Sequence, residues 1–124
     1  MPTILAIHDE QLAEHGGHSG VRDLALLESA LARPLNRAAY GEGDAFDLAA
    51  AYAFGIARNH PFFDGNKRTG YVAAELFLMK NGYVLESTDV ASVLAMLQLA
   101  EGTMTEEAFA KWLRENSTPF KDER

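Results

Sequence analysis

Two stretches of this sequence have no side fit to face water, and any fold must place both inside. The first runs from Phe46 to about Asn59 and carries Leu48, Ala49, Ala50, Ala51, Tyr52, Ala53, Phe54 and Ile56. The second runs from Tyr71 to Met79 and is broken only by Glu75. A helix without a polar face belongs within a bundle rather than on its surface. Both stretches are therefore expected at the centre, joined by the nine residues His60 to Arg68.

The rest of the chain reads as helices between Gly- or Pro-marked breaks. A first helix is expected from about Thr3 to His15, stopping at Gly16-Gly17, with Gly16 to Gly20 as a loop. Asp23 is placed to cap a second helix whose Leu24, Leu27 and Leu31 recur at helical spacing until Pro34. Asn36 to Asp44, with Gly41 and Gly43, reads as a second loop, where either a target-guiding flap or a plain connection would sit. Lys80-Asn81-Gly82 reads as a basic last turn with a glycine stop, and Tyr83 to Leu85 as briefly extended. Another helix follows Thr88, with Val90, Val93, Leu94 and Leu97 on its inner face. Thr103 or Thr105 opens a last one, with Phe109, Trp112 and Leu113 turned inward. The polar tail from Ser117 is expected to fray. No strand set stands out. The expected fold is all-α, a compact bundle of about six helices forming one domain over residues 1–124.

Composition narrows the function. Without cysteine there is neither a disulfide nor a thiolate metal site. The longest nearly apolar stretch, Leu48 to Ala57, has ten residues, where a membrane span needs about twenty. Met1 to Leu5 lacks the basic and apolar regions of a signal peptide, so a cytoplasmic protein is expected. Eighteen acidic against eleven basic side chains give a net charge of −7. That surface repels phosphate backbones and argues against direct nucleic-acid binding, though not against a small anion at a local cationic site.

Such a site is written into the loop. Pro61 disfavours helical geometry at His60, so the incoming helix ends there. Asp64, Gly65 and Asn66 form turns, and either Asn66 or Asp64 is placed to cap the helix that starts near Lys67. The loop then offers backbone N–H groups at a helix N-terminus, a glycine permitting close approach, and the charges of Lys67 and Arg68. A structural role is uncomfortable for two cations in a helical first turn, because they oppose the macrodipole. His60, at a helix C-terminus where the dipole favours its protonated form, is a candidate acid/base. Asp64 is a hard oxygen ligand able to hold Mg²⁺ against a nucleotide phosphate. Phe62 is expected to pack inward and pin the loop. Each residue alone has an ordinary structural reading. Base, metal ligand, anion cradle and cations within nine residues point together to phosphate handling.

The string His60-Pro61-Phe62-Phe63-Asp64-Gly65-Asn66-Lys67-Arg68 resembles the Fic-superfamily motif H-P-F-x-D/E-G-N-G-R-x-x-R, and more closely its Doc variant, H-x-F-x-D-A/G-N-K-R. Gly20-Val21-Arg22-Asp23 with Leu26 to Pro34, and Ala51 to Asn59, also resemble the N-terminal region and motif-leading helix of the Doc (death-on-curing) toxins. Two departures from the AMP-transferring Fic pattern stand out: Lys67 replaces its second glycine and Tyr71 its last arginine. The lysine crowds the path phosphates take in Fic enzymes, and the missing arginine removes a phosphate clamp. The resemblance to Doc implies a toxin of a type II toxin–antitoxin system, a kinase moving the γ-phosphate of ATP to a threonine of elongation factor Tu and so halting translation. It implies His60 as base, Asp64 as Mg²⁺ ligand, and Gly65, Asn66, Lys67 and Arg68 as phosphate holders, with Lys67 and Arg68 also acting in catalysis. Arg58 is a weaker candidate for the same cationic site, its alternative being an ordinary exposed basic residue. The resemblance also implies silencing in trans by a small Phd-like antitoxin, since no inhibitory helix with its own glutamate motif is evident in the chain.

Two other readings remain. Shared His60, Asp64, Gly65 and Asn66 are compatible with an AMP-transferring Fic enzyme acting on a protein hydroxyl, and a non-enzymatic Fic-fold binding domain would keep the fold alone. His15 and His18 are too few for a metal site, and Trp112 and Phe109 suit a core better than a ligand platform.

Overall fold

The first of the two apolar stretches is the helix around which the others assemble in the computed structural model, which describes residues 2–41 and 43–120. In chain order the elements are α1 (Pro2–His15), α2 (Leu24–Ala39), α3 (Ala45–Asn59), α4 (Asn66–Lys80), β1 (Tyr83–Leu85), α5 (Asp89–Glu101), α6 (Glu106–Glu115) and β2 (Ser117–Pro119). Helix α3 touches α2, α4, α5 and α6. It does so because it is lined with small residues: Ala49, Ala50, Ala51, Ala53 and Ala57 are wholly buried. A Cβ on Gly55 would lie 2.9 Å from the Ala30 carbonyl oxygen of α2, and one on Gly70 of α4 would lie 3.3 Å from that of Ala53. Glycine at those two contacts sets how closely the helices approach.

The caps follow the sequence. Asp23 accepts from Leu26 N at 3.0 Å, Thr88 from Ala91 N at 3.1 Å, and Thr105, rather than Thr103, from Ala108 N at 3.0 Å. Asp44 and Asp47 form a reciprocal capping box at the start of α3. The core has two parts. One joins α3, α4, α5 and α6 around Leu78, Leu99, Phe109 and Leu113, with Trp112 partly buried on Phe109. The other joins α1 and α2 to the loop through Ile4, Ile7, Leu27, Ile56 and Phe62.

Three expectations are corrected. Helix α2 does not stop at Pro34 but runs to Ala39, so the loop expected from Asn36 to Asp44 is shorter. Its packing compensates for the lost hydrogen bond: Pro34 is buried, and Arg33 and Arg37 on either side of it both pair with the buried Glu106 of α6. Helix α5 turns Ala95, Met96 and Leu99 inward and leaves Val90, Val93, Leu94 and Leu97 exposed, the reverse of the expected face. This helix is apolar all round, so periodicity did not single out a side; the fit of the Met96 methyl over Gly70 did. Finally, Ser117–Pro119 does not fray but pairs antiparallel with Tyr83–Leu85, Leu85 opposite Ser117. Residues 121–124 of the tail lie outside the described residues. No helix among the described residues is long and apolar enough to cross a membrane.

Candidate active site

Helix α3 ends at His60, whose N–H donates to the Ile56 carbonyl at 3.2 Å while its own backbone takes the left-handed conformation, φ 49° and ψ 54°. It is the one non-glycine residue among those described with positive φ. That conformation costs a side-chain-bearing residue about 1–2 kcal/mol, and strain of this kind persists where the surroundings impose it. The chain then turns back through the buried Pro61 and Phe62 and enters α4 at Gly65.

The loop is held from several directions. Asn66 is almost wholly buried, and its amide embraces the backbone of Phe62: Oδ1 accepts from Phe62 N at 3.0 Å and Nδ2 donates to Phe62 O at 2.9 Å. The same Nδ2 lies 3.4 Å from Nδ1 of His60, a contact long enough to orient the ring more than to bind it. From α1, the buried His8 donates from Nε2 to the Asp64 carbonyl at 2.8 Å and lies flat on the Phe62 ring, centroids 3.7 Å apart and planes within 8°. The glycine loop before α2 closes the other side. His18 N donates to Asp64 Oδ2 at 2.8 Å, Phe63 N donates to Gly20 O at 3.3 Å, and a Cβ on Gly17 would fall 3.1 Å from that of Asp64. Arg22 donates from Nε to the His60 carbonyl at 2.8 Å and from Nη2 to that of Asn59 at 3.1 Å.

Neither Asn66 nor Asp64 caps α4, contrary to expectation. The N-cap is Gly65 in the left-handed region (φ 75°), with no side chain to offer, and the Asn66 amide is consumed by Phe62. The first-turn N–H groups of α4 thus carry the partial positive charge of a helix start without a side-chain acceptor. Lys67 and Arg68 project from that turn, and among the described residues neither is paired with a carboxylate. Both line a cavity of about 800 Å³ with Tyr71, Glu75, Met96 and Leu97. A helix start with these two cations is a setting that favours an anion, and the cavity beside it has the size of a ligand.

His60 behaves differently from the sequence expectation. His60 is an exposed residue, yet the partial burial of its ring, then the positive charges of Lys67 and Arg22, hold the imidazole below its ordinary value, overriding the helix dipole. The shift favours the neutral ring, the form able to accept a proton. The Tyr71 hydroxyl accepts a hydrogen bond from Ser92 Oγ of α5 at 3.0 Å, and burial pushes its pKa up. Arg58 is exposed, with its guanidinium over the Phe54 ring and against Gly102 at the C-terminus of α5. The structure thus places His60, Asp64, Gly65, Asn66, Lys67 and Arg68 between the end of α3 and the first turn of α4, with only Lys67 and Arg68 of the six lining the cavity, and gives Arg58 contacts elsewhere. Sequence reasoning assigned His8 no role and Arg22 only a place in the resemblance, although a histidine beside Ile7 and four residues after Ile4, both apolar, was a signal for the first.

Among the described residues no three His, Asp or Glu side chains cluster to form a metal cage. The exposed carboxylate of Asp64 suits the other common arrangement, a magnesium ion that arrives with a nucleotide and needs one or two protein carboxylates.

A helix end, a left-handed histidine, an asparagine-braced turn and a cationic helix start thus follow one another within the nine residues His60 to Arg68. The pattern describing the Fic/DOC family matches residues 2–78, more than half of the chain, and the chain belongs to that family, in its Doc branch. It is 35% identical over 113 residues, covering 90% of this chain and 88% of the relative, to the protein kinase doc of Escherichia phage P1. It is 49% identical over 74 residues, 56% of this chain and 55% of the relative, to the toxin Doc of Mycolicibacterium smegmatis.

Replacing Asn66 by alanine strips the Phe62 peptide of both partners inside the core. We expect a loss of about 2–3 kcal/mol of stability, measured by denaturant titration, together with loss of transfer activity. A change below about 0.5 kcal/mol would mean the loop does not depend on this brace.

Proposed function

We propose that this chain is a Doc-type toxin: a kinase that moves the γ-phosphate of ATP to the hydroxyl of a threonine in elongation factor Tu, in the cytoplasm, and so stops translation. The observation that carries the choice of phosphate over AMP is Lys67 in the first turn of α4 with Tyr71 turned to Ser92, where an AMP-transferring site needs a glycine and an arginine. The similarity to the protein kinase doc of phage P1 supports the same choice.

In this reading the neutral imidazole of His60 accepts the proton of the threonine hydroxyl as its oxygen bonds to the γ-phosphorus. The bond from that phosphorus to the bridging oxygen breaks, and ADP leaves with the bonding pair. The N–H groups of Gly65, Asn66 and the rest of the turn, with Lys67 and Arg68, hold the phosphates and take up the charge that develops. Arg58 joins them only if its side chain leaves Phe54. Asp64 would hold Mg²⁺, which when bound neutralises phosphate oxygens. A small Phd-like antitoxin silences the toxin in trans, by folding a disordered segment onto it.

The test uses ATP labelled at the γ- or the α-phosphate, with purified elongation factor Tu and Mg²⁺. Label is expected on the factor from the γ-position alone. Label from the α-position alone would instead establish AMP transfer, the reading favoured by the shared His60, Asp64, Gly65 and Asn66.

A further inference from the structure

We propose that Arg22 is a positioning residue for the base: its side chain and backbone lock the carbonyls of Asn59, His60 and Pro61 and so hold His60 in its left-handed conformation. The inference rests on His60 being the base. A helix leaves its last carbonyls without partners, and here the two at the end of α3 are taken by one guanidinium, Nε to His60 O at 2.8 Å and Nη2 to Asn59 O at 3.1 Å. The next carbonyl, of Pro61, accepts from Arg22 N at 2.7 Å and Asp23 N at 3.1 Å. Three successive carbonyls are thus fixed by two residues that precede α2. Val21, one position earlier, pairs with Phe62 in a bridge of the same ribbon. The αL turn at His60 is the point where strain must be imposed, and this clamp spans it.

The same guanidinium acts on the ring through its charge. The charged groups that bear on the imidazole are Lys67, from α4, and Arg22, from the segment before α2, and the neutral amide of Asn66 lies against Nδ1. Burial of the ring lowers its pKa most, Lys67 next and Arg22 after it, so Arg22 places the base and adds to what favours its accepting form. A lysine would supply the charge but not the planar fork that reaches two adjacent carbonyls.

Arg22→Lys and Arg22→Gln separate these effects in the full chain. The His60 titration is read by NMR, its signal assigned by loss in His60→Ala, alongside the pH profile of γ-phosphate transfer and the melting temperature. In Arg22→Gln we expect the His60 midpoint to rise, and transfer below neutral pH to fall by about threefold or more relative to its own plateau. In Arg22→Lys we expect the midpoint to stay near wild type while the plateau falls by about tenfold, the cost of a misplaced base. A lower melting temperature with wild-type titration and plateau in both variants would overturn the proposal, leaving Arg22 a structural residue. Transfer that survives in His60→Ala would remove the base reading itself, yet the NMR midpoint would still show whether Arg22 governs His60.

Discussion

Replacing His60 with alanine should lower γ-phosphate transfer by about 10²–10⁴-fold, equivalent to roughly 3–5 kcal/mol of barrier, while leaving the fold intact. The side chain is exposed and makes only the long contact with Asn66, so its loss opens no cavity. A non-enzymatic Fic-fold domain would keep its full effect on growth in the same variant, and growth inhibition unchanged by the substitution would therefore remove the enzyme reading. The backbone sharpens the test. Because His60 sits at φ 49°, His60→Gly should be inactive yet more stable by up to about 1 kcal/mol, through relief of the left-handed strain. Function that costs stability at one residue is the signature of a working site. The pH dependence has a definite sign. The folded pKa lies below the ordinary histidine value, so the active neutral form persists to lower pH than in a free imidazole, and the rate falls only as pH drops through the depressed value. By linkage, the stability tied to keeping the ring neutral is complete above the unfolded value and is lost over the same descent.

What the sequence made legible was whatever is decided locally. The two apolar stretches, the caps Asp23, Thr88 and Thr105, and the run from His60 to Arg68 each announce themselves within a few residues. What it concealed was decided between elements. Pro34 is a helix breaker in isolation, but Glu106, seventy-odd positions away, holds the arginines on both sides of it. The inner face of α5 depended on where Met96 meets Gly70. Asn66 resembled a cap until its amide was found turned to the Phe62 peptide. His60 at a helix end looked set to be protonated, and partial burial of the ring, with the charges of Lys67 and then Arg22, reverses that. The motif carries the family resemblance, whereas part of the setting of His60 and Asp64 comes from Arg22 and His8, side chains outside the motif.

Phe62→Ala should be the most destabilising substitution in the loop. The side chain is 1% exposed, lies in the cluster of Ile4, Ile7, Leu27 and Ile56, and stacks flat on His8. Truncating a buried phenylalanine costs about 3–5 kcal/mol, against a total of about 5–15 kcal/mol for a domain. A drop in melting temperature on the order of 10–20 °C follows, read by circular dichroism. Its neighbour supplies the control. Phe63 is half exposed and only tilts against His18, so Phe63→Ala should cost less than about 1 kcal/mol. The contrast tests how the loop is built. Its turn has no side-chain cap at α4, and its histidine is strained, so the backbone alone does not favour this shape. Burial of Phe62 supplies the free energy that the strain at His60 consumes, and the Asn66 amide transmits it by binding the Phe62 peptide. Phe62→Leu separates volume from stacking: it refills most of the space but cannot lie flat on His8. Recovery of stability without recovery of transfer would assign the packed volume to the fold and the stacked ring to the alignment of the loop. Equal costs for Phe62→Ala and Phe63→Ala would refute the anchoring role.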